Sequence, residues 1–385
     1  MGETLKKRER NSSVELLRIV AMICIVTCHV AVALFQEPRG GGYLLGGTDS
    51  SYRLNFAIAS TDPRMWILVM LKTLGQWGNV LFVICSAWFL CLSDRVSLNK
   101  VVKMVLEVFV VSVVLLALFL LLGLRPFAKD IVKCLFPITF SNNWFITCYL
   151  LLYVIHPGLN WIFERLGKRG HAAAALSLFA LYMLLPSLHA GHFYANDLFV
   201  MIAVYAVVAY GRFYLPEVLR SGKANRGAFL GGIFGAALLV VLLELIGVHV
   251  DAFSDKVLHF CRFGDPLLFL SAFGLFNLLR GRPFTNAKVN RASGLMLLVY
   301  LIHENYVFKL YVRPCVWPWI YENLGYGLLF VWLAIFSFAL FAVSLIAAVL
   351  YAKTLGKGVE IVAPRLERSV RKAGGSLIGR ICSLK

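Results

Sequence analysis

The sequence is poor in charged residues, and acidic residues are the scarcer kind. Only 15% of its 385 residues are charged, with 20 acidic against 38 basic side chains, and the formal net charge is +18. Hydrophobic residues make up 60% of the chain, whereas an ordinary soluble domain has about 45–50%. This composition excludes an ordinary soluble enzyme, and the mean hydropathy of +0.78 agrees.

Paired cysteine motifs are missing as well. The nine cysteines are scattered, none of them in a CxxC motif, and several stand singly inside apolar stretches. Such cysteines behave as small buried hydrophobic residues. We therefore predict neither a metal site nor a disulfide.

The apolar residues are gathered into long runs, and the basic residues sit in short patches between them. A nucleic-acid-binding protein carries its basic residues as a surface stripe, so we predict no nucleic-acid partner. Runs of about 18 or more apolar residues indicate membrane spans. We predict an all-α, polytopic membrane bundle of about ten helices, at residues 14–36, 65–92, 101–124, 143–163, 172–187, 197–213, 227–248, 264–280, 292–310 and 325–352.

Threading these helices as alternate crossings places 26 basic residues on one side and nine on the other. Cytoplasmic loops carry the excess of Lys and Arg, so both termini are predicted to be cytoplasmic. The predicted organisation is a basic N-terminal segment (1–13), a transmembrane domain (14–352) and a basic tail (353–385) that lies on the anionic cytoplasmic leaflet. We expect a multi-pass protein of the cell membrane, with the bilayer as one partner and an oligomeric state that the sequence does not give.

The first predicted helix carries three ionisable residues, Glu15, Arg18 and His29. Glu15 and Arg18 are three residues apart and can pair on one face. Arg18 and His29 are eleven apart, so they share a face at about 16 Å along the axis. A shielded neutral histidine can act as a general base toward an alcohol, and arginine binds phosphate groups. The pattern favours a phosphorylated cytoplasmic donor that reaches inward to a base. Snorkelling of Arg18 and simple packing of His29 are the alternative interpretations.

Four segments, in order, resemble landmarks of the acyltransferase 3 family of integral membrane acyltransferases. The first is Glu15-Leu-Leu-Arg18, followed by His29 after ten residues. Residues 79–90 are similar to the second-helix pattern of the family, residues 144–160 to its Trp-Phe and Tyr-rich helix, and residues 299–305 to its Tyr-Leu-Ile-His-Glu-Asn run. The sequence departs from the family at Ala87, where Gly is usual, and at His156, where a small residue is usual.

The resemblance implies a membrane enzyme that moves an acyl group, most often acetyl, from acyl-CoA on the cytoplasmic side to a saccharide hydroxyl. It also implies that this saccharide belongs to the cell surface or is exported, and that it is often lipid-linked. By the same resemblance His29 is the catalytic histidine, and Arg18, with Glu15 beside it, is the essential basic residue. Acetyl-CoA is then a co-substrate, and no cofactor is bound.

Further polar residues in or near the apolar runs are candidates for substrate binding: His303, Glu304, Asn305, Trp144, Asn79 and Ser86. For the 303–305 group a hydrogen-bond network at a helix end is the alternative. Trp144 fits an interfacial anchor or a stacking surface for a sugar, and Ser86 fits close helix packing.

A transporter or flippase of a glycan is the alternative class of function, because intramembrane ionisable residues also line transport paths. No internal repeat is visible, although repeats are common in transporters. Within the acyltransferase hypothesis we favour direct transfer over an acyl-enzyme, since no nucleophile is evident.

Overall fold

The structure is a computed structural model, and it describes residues 11–36, 60–188, 196–253, 256–325 and 327–382. The described residues contain no β-strand, so the predicted all-α class is confirmed. Most of the predicted N-terminal segment, residues 1–10, lies outside them. Within these ranges the α-helices are α1 (Ser12–Ala33), α2 (Pro63–Leu90), α3 (Leu98–Leu121), α4 (Ala128–Leu135), α5 (Trp144–Phe179), α6 (Leu185–Leu188), α7 (Asp197–Tyr214), α8 (Pro216–Arg220), α9 (Gly222–His249), α10 (Pro266–Arg280), α11 (Ala287–Ser293), α12 (Met296–His303), α13 (Val316–Leu324), α14 (Leu329–Lys353) and α15 (Leu355–Cys382).

Seven stretches in the described part of the chain are long and apolar enough to cross a membrane. They are α1, α2, α3, the continuous Trp144–Leu188 stretch, α7, α9 and α14. A bent pair, Ala287–His303 with Phe308–Leu324, passes the same test as an eighth span, and α10 is a shorter apolar helix. The protein is therefore a multi-pass membrane protein. The predicted count of about ten and the cytoplasmic placement of the termini stay predictions.

The longest of these stretches is interrupted at a glycine. Trp144–Leu188 contains 45 residues, and as one straight helix it would measure about 68 Å, against about 30 Å for a bilayer core. Gly167 has φ 61° and ψ −173°, outside the helical region, and glycine adopts positive φ without steric cost. The predicted helices 143–163 and 172–187 lie on either side of this residue.

α1 lies at the centre of the bundle, where it contacts α2, α10, α11, α12 and α14. Two glycines of α2 permit close approach: a Cβ on Gly75 would overlap the side chain of Cys28, and one on Gly78 would lie 2.6 Å from the Ala21 carbonyl oxygen. Small residues allow membrane helices to pack backbone against backbone. α1 is therefore held tightly against α2 along the segment that carries His29.

The first turn of α1 is also bonded to the chain around α11. Ser12 Oγ donates to Asn290 Oδ1 at 2.8 Å, and Ser13 Oγ donates to the Arg282 carbonyl oxygen at 2.5 Å. These bonds join segments 278 and 269 residues apart. They position the polar residues at the start of α1 relative to the last third of the chain.

The predicted helix 292–310 is broken in the structure. α12 ends at His303, Glu304 has φ −104° and ψ 17°, and the chain resumes as a π-helical turn at Phe308–Val312. The two halves of this span are bent by 54°. The break places the His303–Glu304 pair inside the bundle, beside α1.

Candidate active site

Two histidines and a glutamate meet where α1 passes the end of α12. His29 Nδ1 lies 3.1 Å from His303 Nε2 and 3.0 Å from Glu304 Oε2. The side chain of His29 is 21% exposed, whereas His303 is completely buried. His29 is therefore the histidine of this cluster that a substrate can reach.

The hydrogen bonds of the cluster assign its protons. His303 Nδ1 lies 2.7 Å from the Val299 carbonyl oxygen, which can only accept, so Nδ1 of His303 carries a proton. Nε2 of neutral His303 is then an acceptor, like the Glu304 carboxylate. The atom that faces both acceptors is His29 Nδ1, so it donates. In neutral His29 the lone pair is consequently on Nε2, the state that a general base requires.

Two cations contact the Glu304 carboxylate. Arg313 Nη1 lies 2.8 Å from Oε2 and Lys309 Nζ lies 3.3 Å from Oε1. Arg313 is itself only 2% exposed. A buried carboxylate needs partners of this kind, because taking an isolated charge out of water is strongly unfavourable.

Arg313 and Lys309 are functional residues that sequence reasoning missed. A signal was present. Two basic residues follow Glu304 after five and nine positions in a largely apolar stretch. A cation inside a membrane segment needs an anionic partner, and Glu304 is the nearest preceding acidic residue in the sequence.

Side-chain amides support the break that follows His303. Asn143 Nδ2 donates to the Glu304 carbonyl oxygen at 3.2 Å. Asn305 Oδ1 accepts from the backbone N–H groups of Val307 at 3.1 Å and Phe308 at 3.3 Å. Backbone groups at membrane depth must be paired within the protein. Asn305, predicted to bind substrate, thus caps the segment after the break.

The cluster also offers three metal-ligand atoms, from His29, His303 and Glu304, within 4.8 Å of one another. The charge of the surroundings opposes a divalent cation, because the ammonium of Lys309 and the guanidinium of Arg313 already lie within 3.3 Å of the carboxylate. The absence of a metal stays our prediction.

A cavity of about 340 Å³ lies along α1. Three cationic residues, Arg18, Lys100 and Lys103, line it together with Glu15 and Glu107. Much of its remaining wall is apolar, formed by Met22, Ile25, Phe82, Met104, Phe145, Ile146, Met296 and Leu297.

The cavity reaches the neighbourhood of the cluster. Ile25 of its wall lies one helical turn before His29. Tyr300, also in the wall, has its ring centroid 5.8 Å from that of His303. The cavity therefore extends from a basic region at the start of α1 toward the accessible histidine.

Glu15 and Arg18 lie in this cavity, and their predicted pairing is confirmed. Arg18 Nη1 is 3.5 Å from Glu15 Oε2, which also accepts from Ser293 Oγ at 2.5 Å. Arg18 Nε is buried and has no hydrogen-bond partner among the described residues. The Arg18 side chain as a whole is 28% exposed, so its guanidinium can be reached from the cavity. Ser86 lines the same cavity.

Trp144 and Asn79 belong neither to the cluster nor to the lining of the cavity. The Trp144 ring packs against Phe145 and Phe263, with centroid distances of 5.6 and 5.3 Å. Asn79 is 5% exposed in α2 and donates from Nδ2 to Gln76 Oε1 at 3.3 Å. Their contact with a substrate stays a prediction.

Comparison with known proteins gives a match to one family model, the acyltransferase domain of the acyltransferase 3 family, over residues 11–352. No curated protein and no solved structure matches the chain. The matched region contains the histidine–glutamate cluster and most of the described helices. The chain belongs to the acyltransferase 3 family and is a membrane acyltransferase.

Proposed function

We propose that the protein transfers an acyl group, in the simplest case acetyl, from cytoplasmic acyl-CoA to a hydroxyl of a surface or exported saccharide. The observation that carries this proposal is the contact of His29 Nδ1 with Glu304 Oε2 at 3.0 Å. It leaves Nε2 of an accessible, membrane-embedded histidine free to take a proton from an alcohol. The cell membrane is the proposed location, and a lipid-linked form of the saccharide is included in this acceptor class.

The cavity supports the choice of donor. CoA combines phosphate groups with a long, less polar arm that ends in the thioester. Arg18, Lys100 and Lys103 are suited to the phosphates, because guanidinium and ammonium groups form charge-assisted hydrogen bonds to them. The apolar wall beyond them suits the arm. The thioester would then arrive near Ile25 and Tyr300, beside the cluster.

The proposed reaction is a direct transfer. His29 Nε2 takes the proton of the acceptor hydroxyl as its oxygen attacks the thioester carbonyl carbon, so that the C–O bond forms and the C–S bond breaks. The thiolate of CoA leaves and takes the proton from the His29 imidazolium. Glu304 accepts from Nδ1–H throughout and stabilises the imidazolium that forms in between.

His303 and Glu304 act in this proposal through His29. The polar contacts of their side chains are with His29, Val299, Lys309 and Arg313. They are therefore positioning residues, and the acceptor meets His29 itself. Trp144 is kept as a candidate stacking surface for a sugar ring.

Acyl transfer by the purified protein in liposomes tests the proposal. Labelled acetyl-CoA and a polysaccharide acceptor are supplied, and His29→Ala should abolish transfer of the label. His249→Ala, at an exposed position near the end of α9, is the matched control and should transfer normally. Addition of EDTA should leave the rate unchanged, whereas a loss would favour a metal at the cluster. Full activity of His29→Ala would refute the assignment of the base. Glycan transport without acyl transfer would instead favour the flippase hypothesis.

A further inference from the structure

The last helix, α15, begins where a membrane span ends. α14 ends at Lys353, and Thr354 (φ −115°, ψ −94°) turns the chain into α15. α15 then packs against α3. Lys103 Nζ, in the second turn of α3, lies 2.9 Å from Glu360 Oε1. Contact with the ends of two spans holds α15 at the level of the membrane surface.

α15 has two different exposed faces. Val359 and Ala363 are buried at 5% and 1% exposure. Val362, Leu366 and Val370, spaced four residues apart, form an exposed apolar stripe. The exposed basic residues of α15, mostly on the opposite side of the helix, are Lys357, Arg365, Arg368, Arg371 and Lys372.

The acidic residues of the described part of α15 are already paired. Glu360 contacts Lys103, whose ammonium holds the pKa of the Glu360 carboxyl below its usual value. Glu367 Oε1 lies 2.9 Å from Arg371 Nη2. The charge that α15 presents outward is therefore positive.

We propose that α15 lies flat on the membrane and binds anionic phospholipid headgroups, with the Val362–Leu366–Val370 stripe toward the acyl chains. A helix with one apolar face and one strongly basic face at the depth of the headgroups has this partner as its physical match. The proposal does not depend on the acyl donor or the acceptor.

Hydrogen exchange of the full-length protein in lipid nanodiscs tests this binding. The two preparations contain phosphatidylcholine alone or a mixture with phosphatidylglycerol. We expect amides of residues 355–373 to exchange at least about tenfold more slowly in the anionic mixture, because each Lys or Arg adds to the attraction. Equal exchange in the two lipids would overturn the proposal.

Two charge variants distinguish lipid binding by α15 from a general effect of the protein's positive charge. Arg365→Gln, Arg368→Gln, Arg371→Gln and Lys372→Gln are combined in one protein. The matched control combines Lys168→Gln, Arg169→Gln, Lys223→Gln and Arg226→Gln, four exposed residues of other segments. Only the first variant should lose the effect of the anionic lipid. If both variants lose the slowing of exchange by anionic lipid to the same extent, the proposal is overturned. It is also overturned if the amides of α15 become protected only after cell extract is added, because this would indicate a protein partner.

Discussion

The Glu304 carboxylate accepts contacts from His29, Arg313 and Lys309 at distances between 2.8 and 3.3 Å. In the proposed reaction this carboxylate therefore has two roles. It holds the His29 imidazole by its Nδ1–H, and it is the negative charge that offsets an imidazolium during transfer.

Glu304→Gln separates these two tasks, because the amide keeps an oxygen acceptor but has no charge. We expect kcat to fall by up to about 10⁴-fold, as when the carboxylate that orients a catalytic histidine is made neutral, with little change in the donor KM. Steady-state kinetics in proteoliposomes measures both. Glu244→Gln, at another buried carboxylate (1% exposed), is the control. A decrease in kcat no larger than that of the control would contradict the role of Glu304.

Arg18 is predicted to act on the donor. Lys keeps the charge at position 18 but loses the planar fork of N–H groups, one of which is unpartnered in the described structure. Arg18→Lys should raise the KM for acyl-CoA about tenfold or more, equivalent to about 1.4 kcal/mol, and affect kcat less. Arg226→Lys, at an exposed position, should leave both constants unchanged. If the KM of Arg18→Lys for acyl-CoA is normal, Arg18 does not bind the donor through its guanidinium, and it serves only as a charge near the membrane surface.

The sequence predicts contacts within a helix better than contacts between helices. The spacing of Glu15 and Arg18 was sufficient to predict their pairing, because three residues apart in a helix means one face. The partners of Glu304 were not predictable in this way. Arg313 reaches Glu304 only because the chain bends by 54° between them, and helical periodicity contains no information about that bend.

The pairing of α1 with α2 is the element-scale feature that places His29. Gly75→Ala would force a Cβ into Cys28, next to His29, and push the two helices apart. We expect the free energy of unfolding to fall by about 1–3 kcal/mol, the usual cost of overpacking. Acyl transfer should fall as well. Thermal unfolding and the transfer assay measure the two effects.

Gly231→Ala is the matched substitution in α9, where an added Cβ meets nothing within 4 Å. Alanine is a better helix former than glycine, so this variant should be at least as stable as the parent and fully active. If Gly75→Ala behaves like Gly231→Ala, the close approach of α1 and α2 is not required for the site.

The predicted helix 292–310 shows why the break was missed. Residues 294–302 are continuously apolar or small, and after His303, Glu304 and Asn305 apolar residues resume at 306–308. What stabilises the break is tertiary: Asn143 Nδ2 bonds the Glu304 carbonyl oxygen across 161 residues. Local sequence patterns therefore predict the membrane-spanning helices well, but they do not predict the break in a helix that places the site residues.

For the whole molecule, the distribution of basic residues predicts that both termini face the cytoplasm. A protease-cleavable tag after Lys385 should be cut in inside-out membrane vesicles and protected in right-side-out ones. A protease site inserted beside Arg125, in the segment between α3 and α4, should show the opposite pattern. Cleavage of both sites from the same side would contradict the predicted orientation, while the family assignment would stand.

His29 and His303 are 274 positions apart in the sequence, and this separation sets a delay during synthesis. At about 5–20 residues per second, about 14–55 seconds pass between the emergence of the two histidines. During that interval α1 holds His29 at membrane depth before His303, Glu304 and Arg313 have been made. Ser12 and Glu15 lack their partners Asn290 and Ser293 for about as long. α1 is therefore the first made of the described helices and among the last to gain all its partners. A ribosome that stalls before residue 303 leaves a chain in which His29 has neither His303 nor Glu304 beside it.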